Sequence, residues 1–150
     1  MKEPKIAIII INWNTYQLTF NCLKSLKACT YKNKTIFLVD NGSKDDSGDK
    51  IALEFPDINF IKNEINEGFT GATNKALKVI LKQNFDYVLL LNNDTEVNPN
   101  FLSLLEARMD SDQNLAATQP LILDFPNKNT IWNGGGSFNT FFGFSKTRSN

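Results

Sequence analysis

The run Ile6-Ala7-Ile8-Ile9-Ile10-Ile11, close to the start of the chain, does most to limit the fold. It is apolar on both faces of a strand, so it needs cover on both sides. That is the situation of a central strand in a parallel sheet with helices above and below. The segments that follow supply such helices. Tyr16, Leu18, Phe20, Cys22, Leu23, Leu26 and Cys29 largely keep a three-to-four spacing, which predicts a helix with Thr15 as its N-cap. Thr35–Val39 predicts a second strand that stops at the turn signal Asp40-Asn41-Gly42-Ser43. Lys44 to Leu53 reads as a charged helix closed by Phe55-Pro56, and Ile58–Ile61 as a short third strand. A further helix is predicted over Gly68–Leu81, with Ala72, Ala76, Leu77, Ile80 and Leu81 on one face. Tyr87–Leu91 predicts the fourth strand, and Pro99 suits the first turn of a helix whose apolar side is Phe101, Leu102, Leu104 and Leu105. Alternating strands and helices give an α/β class with a mostly parallel sheet. After residue 115 the pattern loosens into short strands around Pro120, Pro126 and Gly134-Gly135-Gly136. The expected organisation is therefore a main portion over residues 1–115 and a second region over 116–150.

Composition narrows the chemistry. The 150 residues are 41% hydrophobic and 21% charged, as in one soluble globular domain. Sixteen basic residues balance sixteen acidic ones, which argues against a nucleic-acid partner held by counterion release. The chain has no histidine, which removes imidazole bases, Ser-His-Asp and Cys-His arrangements, and His-bearing zinc sites. Cys22 and Cys29, on one helical face two turns apart, are too far separated for a disulfide and read as buried thiols. They point to a reducing, cytoplasmic compartment. The first residues carry too short an apolar stretch for a signal peptide, and no run reaches membrane-spanning length.

Ligands of open α/β sheets bind beyond the carboxyl ends of the strands. Those ends read Asn12-Trp13-Asn14, Asp40-Asn41-Gly42-Ser43, Asn63 to Asn74, and Asn92-Asn93-Asp94. No glycine-rich dinucleotide fingerprint follows the first strand, and no P-loop occurs anywhere. The first strand also lacks the acidic cluster of a phosphoacceptor domain. What remains is one aromatic, several amides and two placed carboxylates. A flat indole at Trp13 can stack a pyrimidine, worth on the order of 1–3 kcal/mol. Asp40 can accept from a base N–H or a ribose hydroxyl. Asp94 can ligate a hard divalent ion that also holds a diphosphate. Each has a plainer reading when taken alone: Asp40 as a turn or cap residue, Trp13 as core, Asp94 as the N-cap of the helix near Pro99. The 20 asparagines likewise include many simple loop residues.

Taken in order, Ile-Ile-Asn-Trp-Asn, Val-Asp-Asn-Gly-Ser, Asn-x-Gly-Phe-x-Gly-Ala-x-Asn and Leu-Leu-Asn-Asn-Asp-Thr resemble the nucleotide-sugar half of family 2 glycosyltransferases, which have the GT-A fold. Within the family the chain is most similar to rhamnosyltransferase-like members. The similarity covers roughly residues 5 to 110. It implies that Ile11, Asn12, Trp13 and Asn14 form a wall of the nucleobase pocket, with Trp13 at the stacking position. It implies that Asp40 binds base or ribose, and that Asn41 stands where many members have a second Asp. Asn66, Gly68 and Asn74 fall in the segment beside the diphosphate and sugar, where Gly68 opens a helix whose N-terminus favours phosphate. Asn92-Asn93-Asp94 occupies the DXD position. Asn92 replaces the first Asp there, which leaves Asp94 as the strong ligand for Mg²⁺ or Mn²⁺.

The reaction so implied is an inverting, metal-assisted transfer from a UDP- or dTDP-linked sugar to a glycan or lipid-linked acceptor. The family's base is an acidic residue well downstream, in a Glu-Asp motif this chain lacks after Asp94. Asp124 is a poor substitute, and the glycine triplet reads as acceptor-side loop. The ending Phe141-Phe142-Gly143-Phe144 looks interrupted, so the expectation is a truncated or expressed portion that binds donor without transferring it. Exposed Phe138, Phe141, Phe142 and Phe144 would favour self-association, and peripheral membrane association at the inner face is a further expectation. The rival readings are a non-catalytic nucleotide-sugar-binding module and, with less support, a nucleotidyltransferase. The latter lacks its Gly-rich, Arg-bearing loop.

Overall fold

A computed structural model describes residues 3–147. It divides into two compact units, Met1–Asn100 and Phe101–Asn150. The first unit holds β1 (Ile6–Asn12), α1 (Tyr16–Lys27), β2 (Lys34–Asn41), α2 (Ser47–Glu54), β3 (Asn59–Asn63), α3 (Gly68–Ile80) and β4 (Tyr87–Leu90). Its sheet is wholly parallel in the order β3-β2-β1-β4. The isoleucine run is therefore central, as its two apolar faces require, and Ile6 to Ile10 are all buried.

Register and alternation decide what each face carries. Ile9 lies beside Phe37 and Asn12 beside Asp40, so paired residues of β1 and β2 share a face. The odd-numbered Ala7, Ile9, Phe37 and Val39 pack with Ala72, Ala76 and Ile80 of α3. Two alanines on α3 let that helix approach the sheet closely. The even-numbered residues face the other layer, where Cys22, Leu23 and Leu26 of α1 and Ile51 of α2 are buried.

Several boundaries differ from the sequence reading. β2 runs on to Asn41, because Asp40 and Asn41 pair in the ladder with Lys62 and Asn63 of β3. The charged helix begins only at Ser47, since Asp46 before it has a left-handed backbone. α1 ends at Lys27, so Cys29 lies beyond the helix; both cysteines are free and buried. Burial pushes the Cys22 thiol up to about 12, with Asp94 and Glu96 adding to the rise, which makes it an inert core group. Leu81 follows α3 and is exposed rather than on the core face. β4 is an edge strand among the described residues, and its Val88 and Leu90 are exposed. Pro99 precedes the next helix and accepts from the Thr30 backbone and hydroxyl through its carbonyl.

The second unit contains α4 (Phe101–Asp110), the antiparallel pair β5 (Ile122–Leu123) and β6 (Ile131–Asn133), and the hairpin β7 (Gly136–Asn139) and β8 (Phe144–Thr147). Phe142 stacks on Phe144 and meets Phe141 edge-on there, and all three are exposed, whereas the Phe138 side chain lies outside the described residues. Asp124 is exposed, and Gly136 packs against the Lys146 carbonyl inside the hairpin. Among the described residues no helix is long and apolar enough to cross a membrane.

The start of α2 sits hard against the end of β2. A Cβ on Gly48 would lie 2.3 Å from Asp40 Cγ and 2.6 Å from Asp40 Oδ1. Alanine is the better helix former by about 1 kcal/mol, but overpacking a buried site costs about 1–3 kcal/mol. Gly48→Ala should therefore lower the urea midpoint. An unchanged or raised midpoint would mean that Asp40 is not held against this helix.

Candidate functional site

The carboxyl ends of the parallel strands open onto a cleft of about 260 Å³. The ends of β1 and β2 contribute Ile11, Trp13 and Asn41, and the β3–α3 turn contributes Asn66, Gly68 and Phe69. Leu91, Asn92 and Asn93, just past β4, complete the lining. Trp13 lines the cleft and is 52% exposed. The sequence reading missed Phe69 and Leu91. Phe69 could have been found as the apolar residue directly after the helix-opening glycine, and it is 58% exposed.

The structure does not place Asn12, Asn14, Asp40, Asn74 or Asp94 in the lining. Alternation accounts for Asn12 and Asp40, which lie on the opposite face of the sheet from Ile11 and Asn41. Asn12 is fully buried. Its Nδ2 donates to Asp40 Oδ1 at 2.8 Å, Ser47 Oγ at 2.7 Å and Ser43 Oγ at 3.1 Å. Its Oδ1 accepts from the hydroxyls of Thr15 at 3.2 Å and Thr19 at 2.8 Å. Asp40, 2% exposed, also accepts from Ser43 Oγ at 2.5 Å and from the Ser43 backbone N–H at 3.3 Å. Asn14 has a left-handed backbone and holds the same loop, accepting from Lys44 N at 2.7 Å while its own N–H donates to Ser43 Oγ at 3.0 Å. Asn74 is exposed in the middle of α3, and Asp94 is exposed.

Thr15 stands at the N-cap position of α1 but makes no side-chain cap bond. Its hydroxyl instead donates to Asn12 and accepts from Asn93 Nδ2 at 2.6 Å. Asn93 Nδ2 also donates to Thr19 Oγ1 at 2.8 Å. Asn93 is thereby tied to the layer behind the sheet, while Asn92 lies at the cleft and its carbonyl accepts from Thr95 Oγ1 at 2.6 Å.

A second set of amides builds the opposite wall. Asn41, 3% exposed, donates to Asn66 Oδ1 at 2.8 Å and Gly68 O at 3.3 Å. Its Oδ1 accepts from Asn63 Nδ2 at 2.9 Å and from Glu67 N at 3.0 Å. Asn66 Oδ1 accepts in turn from Gly68 N at 2.8 Å. A helix leaves its first N–H groups without intrahelical partners. Asn41 and Asn66 satisfy those of Glu67 and Gly68, and the N–H groups of Phe69 and Thr70 are the other two at the positive end of α3. Gly68 has φ +70°, and a Cβ added there would meet nothing within 4 Å, so backbone conformation rather than space requires glycine.

The metal-ligand set is sparse. Among the described residues no three His, Cys, Asp or Glu side chains gather at one place. Of the two residues expected to ligate a metal, Asn92 lines the cleft and Asp94 is exposed outside its lining.

The amide at position 41 has work that a carboxylate cannot do. Asp there would keep the two acceptor contacts but lose both donor contacts, and would face Asn66 Oδ1 with a negative oxygen. Removing a partner from such a buried group costs about 1–3 kcal/mol. Asn41→Asp should therefore destabilise the unit by that order in urea unfolding. It should also speed hydrogen exchange at Gly68 N–H, because Asn66 loses its anchor. An unchanged exchange rate at Gly68 would contradict the coupling.

Residues 7–149 match the family described as glycosyl transferase family 2. WcaA of Escherichia coli K12, which carries the name of a putative colanic acid biosynthesis glycosyl transferase, is 33% identical over 110 residues, covering 70% of this chain and 38% of its own. WfaP of Escherichia coli, a UDP-Glc:α-D-GlcNAc-diphosphoundecaprenol β-1,3-glucosyltransferase, is 33% identical over 90 residues, covering 59% of this chain and 35% of its own. Among solved structures, the mannosyltransferase PcManGT of Pyrobaculum calidifontis in complex with GDP-Man and Mn²⁺ superposes with a TM-score of 0.65 at 17% identity, over 81% of this chain and 34% of the other. The chain thus spans under two fifths of these relatives' lengths, up to 38% of WcaA. The parallel sheet with its flanking helices is the GT-A arrangement, and the chain belongs to glycosyl transferase family 2.

Proposed function

We propose that the cleft binds the donor of a sugar transfer, a UDP- or dTDP-linked sugar, for delivery with inversion to a glycan or lipid-linked acceptor. One observation carries this reading: a single cleft is lined by the half-exposed indole of Trp13 and by the first turn of α3. The indole offers a stacking face for a base. The N–H groups of Phe69 and Thr70 at the helix start offer a seat for a diphosphate. Ile11 and Leu91 supply apolar floor, and Asn66, Asn92 and Asn93 supply polar groups for ribose or sugar hydroxyls. Asp40 is buried, so it serves the ligand through the residues it holds. Asn14 does the same, and Asn74 is reached only by a ligand that extends along α3.

A divalent ion fits this donor set if it arrives with the nucleotide. Mg²⁺ is commonly held by one or two carboxylates together with substrate phosphates. Asp94, with Asn92 beside it, provides that much and no more. Bound there, Mg²⁺ or Mn²⁺ would offset charge on the departing diphosphate. In that transfer the acceptor hydroxyl would attack the anomeric carbon as the bond to the nucleoside diphosphate breaks. Its proton would pass to a general base, for which the cleft lining offers no carboxylate. The named activity of WfaP supports a UDP donor and a lipid-linked acceptor, and such an acceptor would bring the work to a membrane surface. The exposed Phe141, Phe142 and Phe144 form an apolar surface that favours self-association. The two free, buried thiols suit a reducing cytoplasm.

Trp13 reports directly on the base. Titrating intrinsic fluorescence in a Trp132→Phe background should show strong quenching by UDP and dTDP and little by ADP or GDP. Equal quenching by the purine nucleotides would reject a pyrimidine-selective pocket. Asp94→Ala should leave the fold intact by circular dichroism but abolish the gain in UDP affinity that Mn²⁺ gives in calorimetry. A metal-dependent affinity that survives the substitution would remove Asp94 from the site.

A further inference from the structure

The chain of hydrogen bonds that runs from Asp40 through Asn12, Thr15 and Thr19 to Asn93 has only one self-consistent direction. A carboxylate accepts and cannot donate, so Asn12 turns its Nδ2 toward Asp40. Its Oδ1 must then accept, and it takes the hydroxyl protons of Thr15 and Thr19. With those protons committed, both hydroxyl oxygens are acceptors, and the two hydrogens of Asn93 Nδ2 go to them at 2.6 Å and 2.8 Å. Asn93 lines the cleft, and its Oδ1 is engaged by no donor among the described residues. An asparagine on a loop ordinarily offers a ligand either end of its amide. This one can offer only the carbonyl.

We infer that the buried relay Asp40–Asn12–Thr15/Thr19 locks Asn93 as an obligate acceptor, so that these four act as positioning residues for a hydrogen bond that Asn93 takes from a hydroxyl of the bound nucleotide sugar. The inference rests on the donor reading of the cleft given above. Its chemical consequence is selectivity. A ligand that presents a hydroxyl or N–H at this point is favoured, and one that presents only an acceptor meets a fixed carbonyl oxygen. Thr19 is the informative member, because it is fully buried, is not in the lining of this cleft, and would act on a ligand only through Asn93.

The relay can be read without any ligand. In ¹H–¹⁵N spectra the side-chain amide protons of Asn93 should exchange slowly in the wild-type protein. Thr19→Val should speed that exchange about tenfold or more and weaken UDP binding in calorimetry about tenfold, the scale of one lost hydrogen bond in a desolvated site. Thr19→Ser should restore both, which loss of packing alone would not predict. Asp40→Asn, isosteric but able to donate, frees Asn12 to reverse and should also speed Asn93 exchange. If Thr19→Val does not fold, Thr15→Val on a half-buried side chain carries the same two readouts. Fast Asn93 exchange in the wild type, or a valine variant with wild-type exchange or wild-type UDP affinity, overturns the inference. If wild-type protein binds no UDP at all, the donor reading fails and the acceptor role of Asn93 falls with it. The exchange data still decide separately whether the relay exists.

Discussion

A single buried amide joins four elements of the first unit. Asn12, at the last position of β1, bonds to β2 through Asp40, to α1 through Thr19, to α2 through Ser47 and to the intervening loop through Ser43. An amide suits this place because it carries donors on one side and an acceptor on the other. A carboxylate, an ammonium or an apolar side chain would leave some of these groups unpaired in a dry interior, where each costs far more than in water. The parallel register that sets Asn12 beside Asp40 is thus enforced both by the apolar core below and by polar pairing at the strand end.

Much of the fold was legible because its signals are periodic. The isoleucine run announced a central strand, and the three-to-four spacing in α1 and α3 announced helices on either side. The ends of elements were harder. Asp40-Asn41 reads as a turn in sequence, yet both residues stay in the ladder because Asn12 and Asn63 stand opposite with amides to share. Thr15 reads as a cap, yet tertiary bonds to Asn12 and Asn93 outcompete the local one. Neither outcome can be found without knowing which strands are neighbours.

The site was legible as a set of strand-end residues but not as a surface. Collecting the residues past each strand takes in both faces of the sheet at once. The pleat then separates them: Ile11, Trp13 and Asn41 go to the cleft, Asn12 and Asp40 to the helical layer behind it. Applying the two-residue period to the strand ends would have made that division from sequence. The family resemblance pointed to acidic positions now held by Asn41 and Asn92. At position 41 the structure supplies a reason for the change, since this amide donates and accepts at the same time.

The same pleat puts the cleft lining and the Asn12 hub on different residues of the same strands. Substitutions at Trp13 or Ile11 alter what the cleft presents and leave the amide hub untouched. Substitutions at Asn12 or Asp40 break that hub and, through Thr15 and Thr19, also release Asn93 at the cleft. Variation at Trp13, which lies past the last paired residue of β1, therefore leaves both packed faces of the sheet intact. Asn93 is the point where the two meet, since it lines the cleft and bonds to the threonines of the hub.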